Sequence, residues 1–393
     1  MRYEFDLDPN LIYLNSGTHS ICPREVQEAV TRYQREFERN PTWGLYQVWP
    51  KIWQIQTELG DFFNAGPDDL FLRSSVTAVL NAFILGIPLQ SGSEILTTDL
   101  EYGAVANICR FRSEQDDLKL RALHLPMAAH ELVGLTTETL VEQVVSQIRP
   151  ETRMLVLSHV ITGNGLVLPI AEIARHTRKA GVFLVVDAAH APGAVKLDFK
   201  ELEDVDFYGG NLHKWMMGPK GTSFGWVPRR NQELLRPIIA GWTTFETGEY
   251  YQNFGEGSRF QGKMLTSGCQ DFAPFFALHE TLNFWRRLKP ENIMKRIYEL
   301  QACAEEEFHS KLGWPLLSPA AGKLRGPLVS FELPPNLKKV GFQLMFDAYH
   351  EHKLQIAIAP IGGADWCLRL TPHIYNTESE IVKAAKILKD FGN

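Results

Sequence analysis

Two stretches, Arg153-Met-Leu-Val-Leu-Ser158 and Val182-Phe-Leu-Val-Val186, constrain this chain most, because their apolar residues run without alternation. A strand with one face in water alternates polar and apolar residues, whereas an unbroken apolar run is buried on both faces, as in a parallel sheet between helices. The neighbouring sequence obeys that grammar. Leu70-Phe-Leu72, Glu94 to Thr97 and Leu118 to Leu125 are further strand candidates. The segments between them read as helices: Ala78 to Leu85, a stretch through Asn107, Thr136 to Gln147 before Pro150, and Pro169 to Gly181. Upstream, Leu11 to Leu14 is a short strand breaking into a polar turn. Pro23 then opens a helix over Arg24 to Glu38, which Asn40-Pro-Thr-Trp-Gly44 interrupts before a second helix from Val48 to Phe63. Such alternation predicts an α/β domain whose ligand sits beyond the carboxyl ends of the strands.

After Gly268 the pattern changes. Phe272 to Leu288 and Glu291 to Lys311 read as long helices, followed by a strand (Pro327 to Leu333), a helix (Phe342 to His352), strands at Gln355 to Ala359 and Cys367 to Thr371, and a last helix from Glu378 to Phe391. We therefore expect a large domain over residues 18–278 and a smaller α+β domain over 279–393, with residues 1–17 packed on the smaller one.

Composition narrows the function classes. The 393 residues are 45% hydrophobic and 22% charged, ordinary for a folded enzyme-sized chain and far from disorder. A net charge of −6 argues against a broad nucleic-acid surface. Met1 leads straight into Arg2-Tyr-Glu4, and no apolar run reaches membrane-spanning length, so a cytoplasmic location without membrane contact is expected. Cys22, Cys109, Cys269, Cys303 and Cys367 show no CxxC spacing and support neither a metal site nor a disulfide framework.

The residues that carry chemistry fall at strand ends. Val205 to Tyr208 seeds a strand that delivers His213-Lys214, and Gly218, Pro219 and Gly221 turn the chain back towards Thr222 to Trp226. A lysine that forms an imine must be a neutral amine, so burial or a flanking positive charge, His213 or Lys220, is expected to lower its pKa. Val182 to Val186 runs into Asp187-Ala-Ala-His190, where a carboxylate can keep a heteroaromatic nitrogen protonated. Ser75-Val-Thr77 stands at a helix start, which can cup a phosphate with its free N–H groups, although Ser and Thr there are ordinarily caps. Tyr102, after Asp99-Leu-Glu101, can stack on a flat ring or merely pack, and Thr162 lies on the loop after Ser158. Each is common alone. In this order they are the parts of a pyridoxal phosphate (PLP) site.

The chain resembles class V aminotransferase-like PLP enzymes of fold type I, and most closely their isopenicillin N epimerase-like branch. The similarity spans nearly the whole chain and is carried by Glu101-Tyr-Gly-Ala104, Ser158-His-Val-Ile-Thr162 with Gly165-Leu-Val-Leu-Pro169, Val186-Asp-Ala-Ala-His190, His213-Lys214 and Leu368-Arg-Leu-Thr-Pro-His-Ile-Tyr-Asn-Thr377. It implies a mostly parallel seven-stranded sheet between helices in the large domain. It also implies that Lys214 forms the internal aldimine, Asp187 pairs with the pyridine nitrogen, Tyr102 stacks on the ring, and Thr162 and His190 lie on its 3′-oxygen side. Val76, Thr77 and His213 correspond to phosphate ligands, with Ser75 and Asn211 beside them. Arg369, together with Asn15, matches the clamp on the substrate carboxylate. Near Thr266-Ser-Gly-Cys-Gln270 many relatives carry a Gly-Thr that reaches the neighbouring subunit's phosphate; Cys269 stands there, and Ser267 is expected to substitute.

The implied activity is that of a PLP enzyme acting on an amino acid or amino-acid-containing peptide, through an external aldimine and α-proton abstraction. An isopenicillin N epimerase-like inversion is the first reading, with a C–S lyase or aminotransferase on the same fold as the alternative. Inversion needs a proton-handling group on each face: Lys214 on one, the Tyr102 phenol on the other, with His19 as a second candidate. Cysteine desulfurase chemistry is disfavoured, because Pro360-Ile-Gly-Gly-Ala-Asp-Trp366 has no cysteine. A homodimer with sites at its interface is also implied. Trp43, Tyr46, Trp242 and Tyr250 to Phe254 fit either a pocket wall or a dimer seam.

Overall fold

The structure, a computed structural model, describes residues 1–241, 243–244, 259–265, 268–320, 322–361 and 365–391. After a short first strand, β1 (Ile12–Tyr13), seven strands make one sheet: β2 (Leu70–Arg73), β3 (Glu94–Thr98), β4 (Lys119–Leu123), β5 (Thr152–Ser158), β6 (Phe183–Ala188), β7 (Phe207–Asn211) and β8 (Ser223–Trp226). Their order is β2-β8-β7-β6-β5-β3-β4, and β8 alone runs against the rest. The two unbroken apolar runs are β5 and β6, at the sheet's interior. Leu155, Leu157, Leu184 and Val186 enter one core, while Met154, Val156 and Val185 enter another on the opposite face. Both side-chain sets are therefore dry, which removes any pressure to alternate. β4 is different because it pairs only with β3: Lys119, Leu120 and Ala122 are exposed, as a sheet edge allows.

The order also fixes where a ligand can enter. From β3 the chain goes outward to β4 and then returns on β3's other side as β5. Loops following β3 and β5 therefore diverge, and a crevice opens beyond the carboxyl ends of these strands.

Four strands follow: β9 (Val329–Glu332), β10 (Leu354–Gln355), β11 (Ala357–Ile361) and β12 (Asp365–Leu370). β11, β12 and β9 form an antiparallel sheet, and β10 pairs in parallel with β1. Ile12 and Leu14 share a core with Val329, Phe331, Leu344, Leu354, Leu368 and Ile381. An isolated parallel bridge then joins Asn15 to Thr371, so the start of the chain lies along the segment that carries Arg369.

Some boundaries differ from expectation. The interruption near residue 40 is one residue long: Asn40, at φ −159°, caps a helix from Pro41 to Tyr46 by accepting from Trp43 N–H, and Pro41 occupies a first-turn position where no N–H is missed. The stretch expected as one helix from Phe272 to Leu288 is two, Ala273–Phe276 and Leu278–Leu288. Pro290–Glu305 continues as π-helix through Glu306–Lys311. Among the described residues no helix is long and apolar enough to cross a membrane.

Candidate active site

Lys214 leaves the end of β7 in a loop tied at several points. Leu212 N–H donates to Thr222 O at 3.0 Å, Gly218 N–H to Leu212 O at 2.8 Å, and Met217 N–H to Lys214 O at 2.9 Å. Met217 takes φ 57°, a left-handed conformation that a non-glycine residue holds only where its surroundings enforce it. The loop also passes so close to Gly193 (φ 79°) that a Cβ there would lie 2.8 Å from the Trp215 carbonyl carbon. Only glycine meets both demands.

The Lys214 ammonium is held in check by its neighbours. Its Nζ lies 3.1 Å from His190 Nε2, and Trp215 Nε1 lies 3.3 Å from His190 Nδ1. An indole N–H can only donate, so Nδ1 accepts and the proton of the neutral imidazole sits on Nε2. The Nε2–H then points at Lys214 Nζ, which can accept it only as a free amine. Burial agrees: it depresses Lys214 to about 8, reinforced by the Arg369 charge and opposed by Asp187. Burial also holds His190 well below its ordinary value, helped by Lys214 and Arg369. The positive neighbour is thus Arg369 from the far end of the chain, rather than the flanking Lys220, whose ammonium donates to Ser20 O.

Asp187 is the last but one residue of β6, in register with Ser158 on β5 and Gly209 on β7. Its Oδ1 accepts from Ala189 N–H at 2.8 Å, and Oδ2 has no hydrogen-bond partner among the described residues. Burial raises this carboxyl above the ordinary range, with the Ala189 N–H and Lys214 pulling the other way. Across the crevice, Tyr102 begins the helix Gly103–Gln115 and is 56% exposed, so its ring is not merely packed.

Arg369, on β12, is 6% exposed yet has no acidic partner among the described residues. Nη1 donates to Thr162 O at 3.3 Å, and Nη2 to Thr18 Oγ1 at 3.0 Å and Asn15 Oδ1 at 3.4 Å, while Nε is buried without a partner among the described residues. Burial lowers its pKa, offset in part by Cys367 and Tyr102. The isolated Asn15 bridge explains how a residue near the start of the chain reaches this arginine.

At the opposite end of the crevice lies the helix Val76–Gly86. Ser75 Oγ caps it by accepting from Ala78 N–H at 3.3 Å, and Asn211 Oδ1 accepts from Val76 N–H at 3.0 Å. The N–H of Val76 is therefore already used, which makes Asn211 a tether between the helix start and the end of β7. Thr77 N–H has no partner among the described residues and Thr77 is exposed, so the cup is open there. His213 donates from Nδ1 to Thr222 O at 3.0 Å and lies 5.2 Å, ring to ring, from His19. Burial lowers His213 to about 4, with the charges of His19 and Lys214 adding to it. A phosphate dianion would oppose all three. Ser267, Trp242 and Tyr250 to Phe254 lie outside the described residues.

The residues present fit PLP. The open Oδ2 of Asp187 suits a protonated ring nitrogen, the unengaged Thr77 N–H at a helix N-terminus suits a phosphate, and Lys214, which burial brings down to about 8 and so towards a free amine, suits the aldehyde. Trp215, Thr18 and Glu101 were not singled out as site residues from sequence. Trp215 fixes the His190 tautomer, Thr18 holds Arg369, and Glu101 reaches the end of β5. Adjacency to Lys214, His19 and Tyr102 was the available signal, but their partners are distant in sequence.

The family described as aminotransferase class-V matches residues 12–347. The chain is 30% identical to isopenicillin N epimerase of Streptomyces clavuligerus, over 97% of this chain and 95% of that protein. Among solved structures it is similar to the cystine C–S lyase C-DES in complex with its reaction product cysteine persulfide, with a TM-score of 0.84 and 24% identity over 98% of this chain and 99% of that one. It is equally similar to a C-DES mutant with glycine covalently linked to the PLP cofactor, with a TM-score of 0.83 and 24% identity over 100% and 99% of the two chains.

Proposed function

Because the chain belongs to the class V aminotransferase family, we propose that this PLP-dependent enzyme removes and returns the α-proton of an amino acid or amino-acid-containing peptide, with inversion, as an isopenicillin N epimerase-like enzyme. The observation that carries the reading is Arg369, a buried guanidinium with no acidic partner among the described residues, whose charge helps to lower the Lys214 pKa. Burying an unpaired charge is unfavourable unless a ligand supplies its counterion, and a substrate carboxylate does so in bidentate geometry. When bound, PLP supplies the electron sink that stabilises the carbanion left at the substrate α-carbon. Lys214 Nζ moves the proton on one face. On the other, the Tyr102 phenol, open to the crevice, supplies or takes it. Asp187 would hold the ring nitrogen's proton, Arg369, Asn15 and Thr18 would orient the substrate, and His190, Thr162, Ser75, Thr77, Asn211 and His213 would hold the cofactor.

Thirty per cent identity to an isopenicillin N epimerase, over 97% of this chain, supports inversion over the alternatives. The C–S lyase of the same fold keeps β-elimination as the second reading. Persulfide formation on the protein is disfavoured: Cys367 is buried, and burial pushes its thiol up to about 12 despite Arg369 nearby. A homodimer belongs to the same proposal, supported by the exposed Trp43, Leu45 and Tyr46 on the helix Pro41–Tyr46. So does a reducing, cytoplasmic setting, supported by five cysteines that are all free thiols.

Proton NMR in deuterium oxide, with PLP-loaded protein and a panel of amino acids and amino-acid-terminated peptides, tests the reading. Exchange of the α-proton with an intact skeleton and loss of optical purity is expected; fragmentation to a keto acid would replace inversion with a lyase reaction. Tyr102→Phe keeps the ring and removes the phenol. We expect it to slow inversion about 10²–10⁴-fold, the usual worth of a general acid or base, while exchange with retained configuration continues from the Lys214 face. Inversion at the wild-type rate in this variant would remove Tyr102 from the proton path.

A further inference from the structure

Glu101 precedes Tyr102 and does not point into solvent. Its Oε1 accepts from Thr98 Oγ1 at 2.9 Å and from Ser158 N–H at 3.1 Å, and its Oε2 lies 2.5 Å from Ser158 Oγ. Thr98 ends β3 and Ser158 ends β5, so this carboxyl group spans the divergence between those two strands. Ser158 is in turn the register partner of Asp187. A second acid secures the same turn from its other side: Asp99 Oδ1 accepts from Leu125 N–H at 3.0 Å, and Oδ2 lies 2.7 Å from His124 Nδ1. Tyr102 emerges between them, and its carbonyl accepts from Val105 N–H at 2.8 Å to start the helix.

Unlike Asp99, Glu101 has no cation beside it among the described residues. The titratable groups that bear on it are Asp187 from β6 and Cys109 from the helix Gly103–Gln115. Two carboxyl groups set against the same strand end at Ser158, Asp187 buried and Glu101 part-buried, do not both ionise freely, and the one that gains a cationic partner keeps its charge. In the proposed site that one is Asp187, which faces the ring nitrogen. The proton then belongs to Glu101: Ser158 Oγ donates to Oε2 of the ionised carboxylate, and on protonation the direction of that one bond reverses, Oε2–H donating to Oγ, while the contacts at Oε1 stay as they are.

We propose that Glu101 is a positioning residue of this site: it clamps the turn carrying Tyr102 to the strand end beside Asp187, and it does so as a neutral acid while Asp187 is ionised. This rests on the PLP site described above and adds to it a role for a residue that touches neither cofactor nor substrate. Burial, reinforced by Asp187 and opposed by the Ser158 and Thr98 hydrogen bonds, pushes Glu101 up to about 7. The sign follows: the folded protein holds a proton that the unfolded chain releases above its ordinary value of 4.5, so this contribution to stability is full below 4.5 and is lost as pH rises through about 7.

Glu101→Gln imitates the neutral acid, and Glu101→Ala removes the clamp. Thermal unfolding of the PLP-free protein from pH 5 to 8, and PLP affinity with the circular dichroism of the bound cofactor, are read on both variants. We expect Gln to flatten the loss of stability that the wild type shows towards pH 8 and to keep the cofactor's dichroic band. Ala is expected to weaken PLP binding about tenfold, through loss of the hydrogen bonds that hold the turn, and to shrink the band. Wild-type dichroism and affinity in Glu101→Ala, or an unchanged pH profile in Glu101→Gln, would overturn the proposal. Lys214→Ala, run in parallel, separates the two levels. If it keeps the wild-type chromophore the site assignment itself has failed, and the Glu101 role with it; if it loses the chromophore while Glu101→Ala behaves as wild type, only the Glu101 role is wrong.

Discussion

Lys214→Ala is expected to lower α-proton exchange at least about 10³-fold, because one substitution removes both the covalent anchor for the cofactor and the base on one face. The purified variant should lack the bound chromophore that shifts when amino acids are added to the wild type. A variant that exchanges α-protons at the wild-type rate would contradict the assignment of Lys214. The same lysine also predicts a pH dependence. Burial lowers its folded-state value to about 8 from 10.5, so between those limits the unfolded chain holds a proton that the folded protein does not. Stability of the PLP-free protein therefore rises with pH through that window, and Lys214→Ala should lose this gradient. Capture of added PLP by the apoprotein should likewise accelerate as pH passes about 8, where the amine becomes neutral. Stopped-flow absorbance would follow it.

Arg369→Leu should reduce kcat/KM about 10²–10³-fold, in line with the loss of charge-assisted hydrogen bonds to a carboxylate. The same substitution should leave the stability of the PLP-free protein unchanged or raise it. A buried arginine in a structural ion pair would behave oppositely, since its removal strands a buried acid. Among the described residues no acid is stranded: the groups left behind are the Thr162 carbonyl, Asn15 and Thr18, the last on the exposed side of the turn. Arg369→Lys keeps the charge but not the fork, and should recover only part of the lost kcat/KM. Steady-state kinetics and calorimetry on the three proteins decide the matter. A loss of stability by Arg369→Leu with unaltered kcat/KM would make this arginine structural.

Much of the layout could be read from the chain alone, because it depends on local composition. Unbroken apolar runs such as Met154 to Leu157 demand burial on both faces, and helices between them demand parallel strands; β5 and β6 sit in the sheet's interior for that reason. Strand ends bearing Asp187, Thr162 and Lys214 then point to one crevice, since all parallel strands end on the same side. Edges were harder to read. Leu118 to Leu125 looks like its neighbours in sequence, but β4 has a partner on one side only, and that is settled by the path of the whole chain.

Charge states and pairings were decided by the tertiary structure, because they depend on groups far apart in sequence. His213 and Lys220 flank Lys214, yet the positive charge that helps lower its pKa is that of Arg369, brought in by β12. The His190 tautomer follows from Trp215, the Val76 N–H is taken by Asn211, and Asn15 reaches Arg369 because it bridges to Thr371, two residues on. Glu101 carries the point furthest: in sequence it is one residue of the Glu101-Tyr-Gly-Ala104 stretch, and only the meeting of β3, β5 and β6 takes its carboxyl partly out of water and sets it against Asp187. Sequence determined which chemical groups reach the crevice, because that is a matter of strand order and residue type; folding decided which of them are charged there, because desolvation and Coulomb energy depend on distances that no sequence spacing contains.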